Sequence, residues 1–215
     1  MQDFTIVTGM IIKAVPIGEY DRRLVLLTKE KGKISAFARG ARKPNSRFVA
    51  STNLFCFGTF KLYAGRESYT LAETEITNYF EELRMDFEGA YYGMYFLEIA
   101  DYYTRENNDE REMLKLLYQS LRALSHPAFK NQLVRAVFEI KSVVINGEFP
   151  GVPGDRKYLD STQYTVEYIM NTSIEKLYTF NVTDEVLSEV CSIGNWTRKH
   201  CLNGKFKSLE ILDTL

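Results

Sequence analysis

Cysteine, proline, histidine and tryptophan are all scarce in this sequence: its 215 residues hold 3 Cys, 5 Pro, 2 His and 1 Trp. Cys56, Cys191 and Cys201 are odd in number and include no CxxC pair, so neither a disulfide framework nor a four-cysteine zinc site can be assembled from them. Reduced, packed thiols are the expectation. His126 and His200 lie far apart, without HxxxH or HxH spacing, which argues against a histidine metal site or a histidine base. Walker, GxSxG and Rossmann fingerprints are missing as well. Glu98 and Asp101 stand one helical turn apart, as a general acid/base pair could, but no phosphate-binding glycine loop or metal partner accompanies them, so ion pairing or hydrogen bonding to a nearby Tyr or Arg is the expected role and an enzyme is disfavoured. Apolar runs are only a few residues long, and the first ten residues carry an acid where a secretory signal needs bases. A soluble, cytoplasmic protein is expected.

What is present is a core-forming composition, 45% hydrophobic and 13% aromatic, sufficient for one large or two small domains. The net charge of −1 conceals an asymmetry. Residues 1–80 carry twelve Lys or Arg against seven Asp or Glu, whereas residues 81–215 carry fifteen against twenty-one. The first third therefore attracts polyanions and the remainder does not.

Strand signals dominate the basic third. Residues 4–15 alternate loosely with many β-branched side chains, and a bend is expected near Gly9. Residues 24–28, 34–38, 54–63 and 69–76 supply four more strands, separated by the turns at 18–21, 29–33 and 64–68. Five short strands without an intervening helix predict an antiparallel OB-type β-barrel in residues 1–80. From residue 81 the periodicity becomes helical. Residues 86–105 are apolar or aromatic on nearly every side, which predicts a central helix. Met113, Leu117, Leu121 and Leu124 mark a second helix, and Leu133, Val137, Ile140 and Val144 a third that stops at Asn146 and Gly147. Residues 147–163 are read as a Gly/Pro-rich connector, followed by helices starting at Thr172 and Thr183 and a last turn at 207–212. The whole is an α+β chain of two domains, 1–80 and 81–215.

Residues 31–47 (KGKISAFARGARKPNSR) hold six basic side chains and no acid. Gly32, Gly40 and Pro44 break any helix, so the stretch is read as a strand leaving its sheet in a loop or arm. Lys33, Arg39, Arg42, Lys43 and Arg47 recur at spacings that suit a backbone of regularly placed phosphates, and Arg22 and Arg23 stand on the neighbouring strand. Phe37 and Phe48 could stack on unpaired bases, with barrel core the alternative for Phe37. Besides a DNA-binding protein, two other readings fit these features: an RNA-binding OB protein, and an adaptor whose helical groove does the binding.

The motifs GEYD (18–21), TKEKGK (28–33), ARGARK (38–43) and SRF (46–48), with YTL (69–71), FEI (138–140) and KSL (207–209), resemble the bacterial recombination mediator family RecO. That resemblance covers essentially the whole chain and is most specific at ARGARK. It implies a protein without catalytic turnover that binds single- and double-stranded DNA, anneals complementary strands, engages the acidic C-terminal tail of single-stranded DNA-binding protein, and works with RecR to load RecA. It implies a cytoplasmic, nucleoid-associated location and no membrane. Carried over, the DNA contacts fall on Lys33, Arg39, Arg42, Lys43 and Arg47, and the tail-binding pocket on Arg135, Phe138 and Lys141. Many members place a four-cysteine zinc module after the third helix, where this chain has GEFPGVPGDRKYLDSTQ without cysteine, so no zinc is expected.

Overall fold

The structure is a computed structural model that describes residues 4–65, 68–154 and 157–215. Arg66 and Glu67 of the expected 64–68 turn, and Asp155 and Arg156 of the connector, lie outside the described residues. Five strands, β1 (Phe4–Ile17), β2 (Asp21–Thr28), β3 (Gly32–Ala38), β4 (Phe57–Ala64) and β5 (Tyr69–Asn78), close into a barrel in the order β1-β2-β3-β5-β4, with β4 returning to β1. Among the described residues seven α-helices follow.

Alternation of side chains builds the barrel core. Leu24 and Leu26 of β2, opposite Ala36 and Ile34 of β3, point inward with Val7, Ile11, Phe60 and Leu62. Each large side chain buried in this way contributes about 1.5–3 kcal/mol. One pairing departs from the all-antiparallel expectation: β3 and β5 run parallel. Five is an odd number, so strands that alternate in direction around a closed ring must meet one neighbour of the same sense. The irregularity expected near Gly9 falls instead between Ile11 and Lys13, where the register with β2 shifts.

The β2–β3 turn is shaped by its neighbour in space. Gly32 has φ +64°, and a Cβ there would lie 2.3 Å from the Arg105 carbonyl oxygen, so glycine is required both by conformation and by close approach. Lys33 N–H donates to that carbonyl at 3.0 Å, and Asn107 N–H donates to the Lys31 carbonyl at 3.0 Å. Residues 105–107 are thereby laid along the turn.

The helices are α1 (Glu81–Met85), α2 (Phe87–Tyr103), α3 (Arg111–Leu124), α4 (Asn131–Ile145), α5 (Asp160–Asn171), α6 (Asp184–Cys201) and α7 (Lys207–Leu212). Tyr95, Phe96, Ile99 and Ala100 of α2 are fully buried, and Phe96 stacks on Phe138 of α4 with centroids 4.2 Å apart. Helix α4 ends as its Asn-Gly pair predicts: Gly147 has φ +73°, its N–H reaches the Val144 carbonyl, and Glu148 N–H reaches the Val143 carbonyl.

Helix α5 occupies the end of the expected connector. Its buried face is Thr162, Thr165, Val166 and Ile169, a helical i, i+3, i+4, i+7 stripe in which two of four positions are threonine, and this concealed it from a hydrophobic reading. Thr172, expected to start a helix, is instead the extended residue that ends α5, and only a 3₁₀ turn, Ile174–Lys176, follows. The Thr183 start is seen, its hydroxyl accepting from Val186 N–H at 3.4 Å.

The chain clusters into two compact units, Met1–Glu81 with Ala100–Leu114, and Glu82–Ile99 with Lys115–Leu215.

Candidate nucleic-acid interface

In the first unit, the side chains of β2 and β3 that alternate with the core form the barrel's outer face. Ala36 and Ala38 point inward, so Phe37 between them points outward, opposite Arg23 in register. Arg23, Val25, Lys33, Ser35, Phe37 and Tyr69 line a groove of about 390 Å³, with Asp101 and Glu106 in its wall beside the start of β3. Lys31 Nζ stands 5.9 Å from the centroid of Tyr69. An open groove with aromatic rings and cations suits an unpaired base flanked by phosphates.

The basic stretch beyond β3 is a folded loop rather than a free arm. Gly40 N–H donates to Asp21 Oδ1 at 2.7 Å, Arg42 N–H donates to the Tyr20 carbonyl at 2.8 Å, and Ala41 is fully buried. Anchored so, the loop leaves Arg39, Arg42, Lys43 and Arg47 exposed. Arg42 Nη1 donates to the Gly18 carbonyl at 3.2 Å, and Lys43 Nζ lies 5.5 Å from the Tyr20 ring centroid. Arg47 Nη2 donates to the Ala72 carbonyl at 2.5 Å, two residues along β5 from Thr70, the partner of Phe37. These exposed cations therefore border the strands that carry the groove.

Other expected contacts are placed differently. Lys33 donates to the Asp101 carbonyl oxygen at 2.7 Å and pairs with Asp101 Oδ1 at 3.1 Å, so its ammonium is already engaged. Arg22 turns to the loop instead of the surface, its Nη1 donating to the Thr52 carbonyl at 3.0 Å, Thr52 Oγ1 at 2.9 Å and Asn53 Oδ1 at 3.0 Å. Phe48 is 8% exposed, part of the barrel core, with the Arg47 guanidinium 4.8 Å from its ring centroid; it offers no face to a base. Arg23 is exposed as a contact would be. The parity of β3 distinguishes Phe37 from Phe48, because the loop folds Phe48 back under the barrel end.

Asp101 also pairs with Lys13, Oδ2 to Nζ at 2.6 Å. Burial penalises its charge, but the hydrogen bonds and attraction of Lys13 and Lys33 outweigh that and hold its pKa below the usual carboxylate value. Glu98, its expected companion, belongs to the second unit and accepts from Ser208 N–H and Oγ at 3.2 and 2.9 Å. The two carboxylates thus serve separate structural contacts.

In the second unit, Phe138 is fully buried and Lys141 is 6% exposed, its Nζ donating to the Met170 and Thr172 carbonyls at 2.8 Å each. Neither presents its functional group at the surface. Arg135 does line a cavity of about 410 Å³ between α4 and α6, with Gln132, Asn195, Arg198, Lys199 and Asp213. Glu139, 1% exposed, anchors its floor: it accepts from Tyr95 Oη at 2.7 Å and from Arg135 Nε at 3.0 Å. Burial raises the Tyr95 pKa, reinforced by Glu139. Sequence reading overlooked Arg198 and Lys199; their i, i+1 position in the last turn of α6, facing α4, is visible only once the helices are paired.

The zinc module suggested by the family resemblance does not fit the donors present. The thiols of Cys56, Cys191 and Cys201 donate separately to the carbonyls of Ala50, Gln132 and Glu148, and among the described residues no three His, Cys, Asp or Glu side chains gather to hold a metal. Burial, then Glu139, pushes the Cys191 thiol up to about 11. Among the described residues no helix is long and apolar enough to cross a membrane.

Comparison with known proteins agrees with this architecture. The family model for the recombination protein O N terminal matches residues 1–80, and that for the recombination protein O C terminal matches residues 84–152. The DNA repair protein RecO of Acetivibrio thermocellus is 28% identical, with 97% of this chain and 96% of that protein aligned. The RecO of Clostridium novyi is 28% identical over 96% of this chain and 93% of its own, and that of Symbiobacterium thermophilum 34% identical over 68% of this chain and 58% of its own. With residues 1–80 and 84–152 matched in order, barrel first and helices after, the chain belongs to the RecO family of DNA repair and recombination proteins.

Proposed function

We propose that this protein is a recombination mediator that acts through binding energy, without turnover or cofactor. The barrel holds single- or double-stranded DNA by its phosphates, with Arg23, Arg39, Arg42, Lys43 and Arg47 as contacts and the ring of Phe37 against an unpaired base. The observation that carries this reading is the placement of a groove lined by the outward-facing ring of Phe37 beside five exposed cations. The second unit receives the acidic C-terminal tail of single-stranded DNA-binding protein at Arg135, with Arg198 and Lys199 beside it. With RecR, the protein then anneals complementary strands or delivers them for RecA loading.

The test is a salt-titrated binding measurement with a single-stranded DNA oligonucleotide, with and without the acidic tail peptide. Five phosphate contacts predict a log–log salt slope of about −3.5, and tail-peptide binding that is lost in Arg135→Glu. Folded protein that shows no salt-dependent DNA binding would remove this reading. An equal-length RNA competitor that binds more tightly would favour the RNA-binding alternative.

A further inference from the structure

The groove carries cations and acids together, and their arrangement is specific. Lys13 from β1 and Lys33 from β3 converge on the two carboxylate oxygens of Asp101, at 2.6 and 3.1 Å, and Lys33 additionally bonds the Asp101 backbone carbonyl at 2.7 Å. A phosphate diester likewise shares one negative charge over two oxygens, so Asp101 occupies the position that a backbone phosphate would take between these lysines. Its lowered pKa keeps it ionised at neutral pH. Glu106, exposed on the same side, adds a second negative charge to that end of the groove.

We propose that Asp101 is a positioning residue for the nucleic-acid strand: by engaging the ammonium groups of both Lys13 and Lys33 it closes one end of the groove to phosphate and directs the backbone to the Arg23, Arg39 and Arg47 side, leaving Phe37 to a base. This rests on the barrel being the DNA-binding element. Like charges repel a phosphate from Asp101 and Glu106, whereas a neutral base edge meets carboxylates that can accept from its amino groups. The strand track is then set by exclusion at one end as much as by attraction at the other.

Binding of an oligo-dT strand between about 50 and about 200 mM salt tests the inference. Asp101→Asn frees two lysines, so its slope steepens by about 1.4 and its affinity at the low-salt end rises about tenfold, given about 0.7 per single-strand phosphate contact. Asp101→Glu, which keeps the charge, retains the wild-type slope. Lys13→Gln with Lys33→Gln in the wild-type background leaves the slope unchanged, and the same pair added to Asp101→Asn restores the wild-type slope. An unchanged slope in folded Asp101→Asn protein overturns the proposal, as does a slope about 1.4 shallower in the double lysine variant, which also serves if Asp101→Asn does not fold. Failure of the wild-type protein to bind DNA would instead remove the functional reading beneath it, so the two failures are distinguishable.

Discussion

Arg22 and Thr52 are joined by two hydrogen bonds from one guanidinium nitrogen, to the Thr52 carbonyl at 3.0 Å and to its hydroxyl at 2.9 Å. Thr52 in turn donates to the Phe48 carbonyl at 2.7 Å, and Ser51 accepts from Thr74 of β5 at 2.9 Å. The loop after β3 is thus held by a strand on each side of it, and the basic side chains project from a fixed support. Pre-organisation of this kind lowers the ordering cost of binding.

Arg22→Met should destabilise the protein by about 1.5–3 kcal/mol, the range for hydrogen bonds to a charged group. Urea unfolding measures it directly. A variant as stable as wild type would show that the loop holds its shape without this arginine.

Charge reversal of Arg39 and Arg42 together should leave stability nearly unchanged, because both side chains are exposed. DNA affinity should fall and the single-strand salt slope flatten by about 1.4, two contacts' worth. Parallel thermal melts and binding titrations separate the two effects.

Phe37 and Phe48 should respond in opposite ways to alanine. Phe37→Ala removes a ring from the outer face and should weaken single-strand binding by about 1–3 kcal/mol with little change in salt slope. Phe48→Ala opens the barrel core and should cost about 3–5 kcal/mol of stability. Equal stability losses in the two variants would contradict the assigned faces.

The ion pairs at Asp101 should be visible in the acid limb of stability. Its pKa is lower in the folded than in the unfolded protein, so its contribution is fully present above the unfolded value of about 4 and disappears as pH falls through the folded value. Wild-type protein should therefore lose stability more steeply than Asp101→Asn below about pH 5. Partial exposure of Asp101 and Lys13 keeps the difference small. Parallel acid-unfolding curves for the two proteins would show that the pairing contributes nothing.

How much was legible in the sequence varies with how local the signal is. Period-two alternation along residues 24–28 and 34–38 identifies strands because each side chain's face follows from its neighbours, and Asn146-Gly147 marks a helix end through the conformation glycine permits at that position. The same parity rule, applied to Ala36, Phe37 and Ala38, places Phe37 on the outside. Helix α5 was hidden because Thr162 and Thr165 are polar by type and buried by packing.

By itself the sequence determined an OB-type barrel followed by helices, a basic first third, and the family to which those segments belong. These depend on residue type, spacing and charge, properties that exist along the chain before it folds. Only the tertiary structure decided which cations are available. Lys33 is engaged because Asp101, sixty-eight residues away, meets it; Arg22 is engaged because the loop returns Thr52 to it; Lys141 is engaged because the end of α5 covers it. Charge is carried by a residue, but its availability depends on partners brought from distant sequence, and that is settled only by packing.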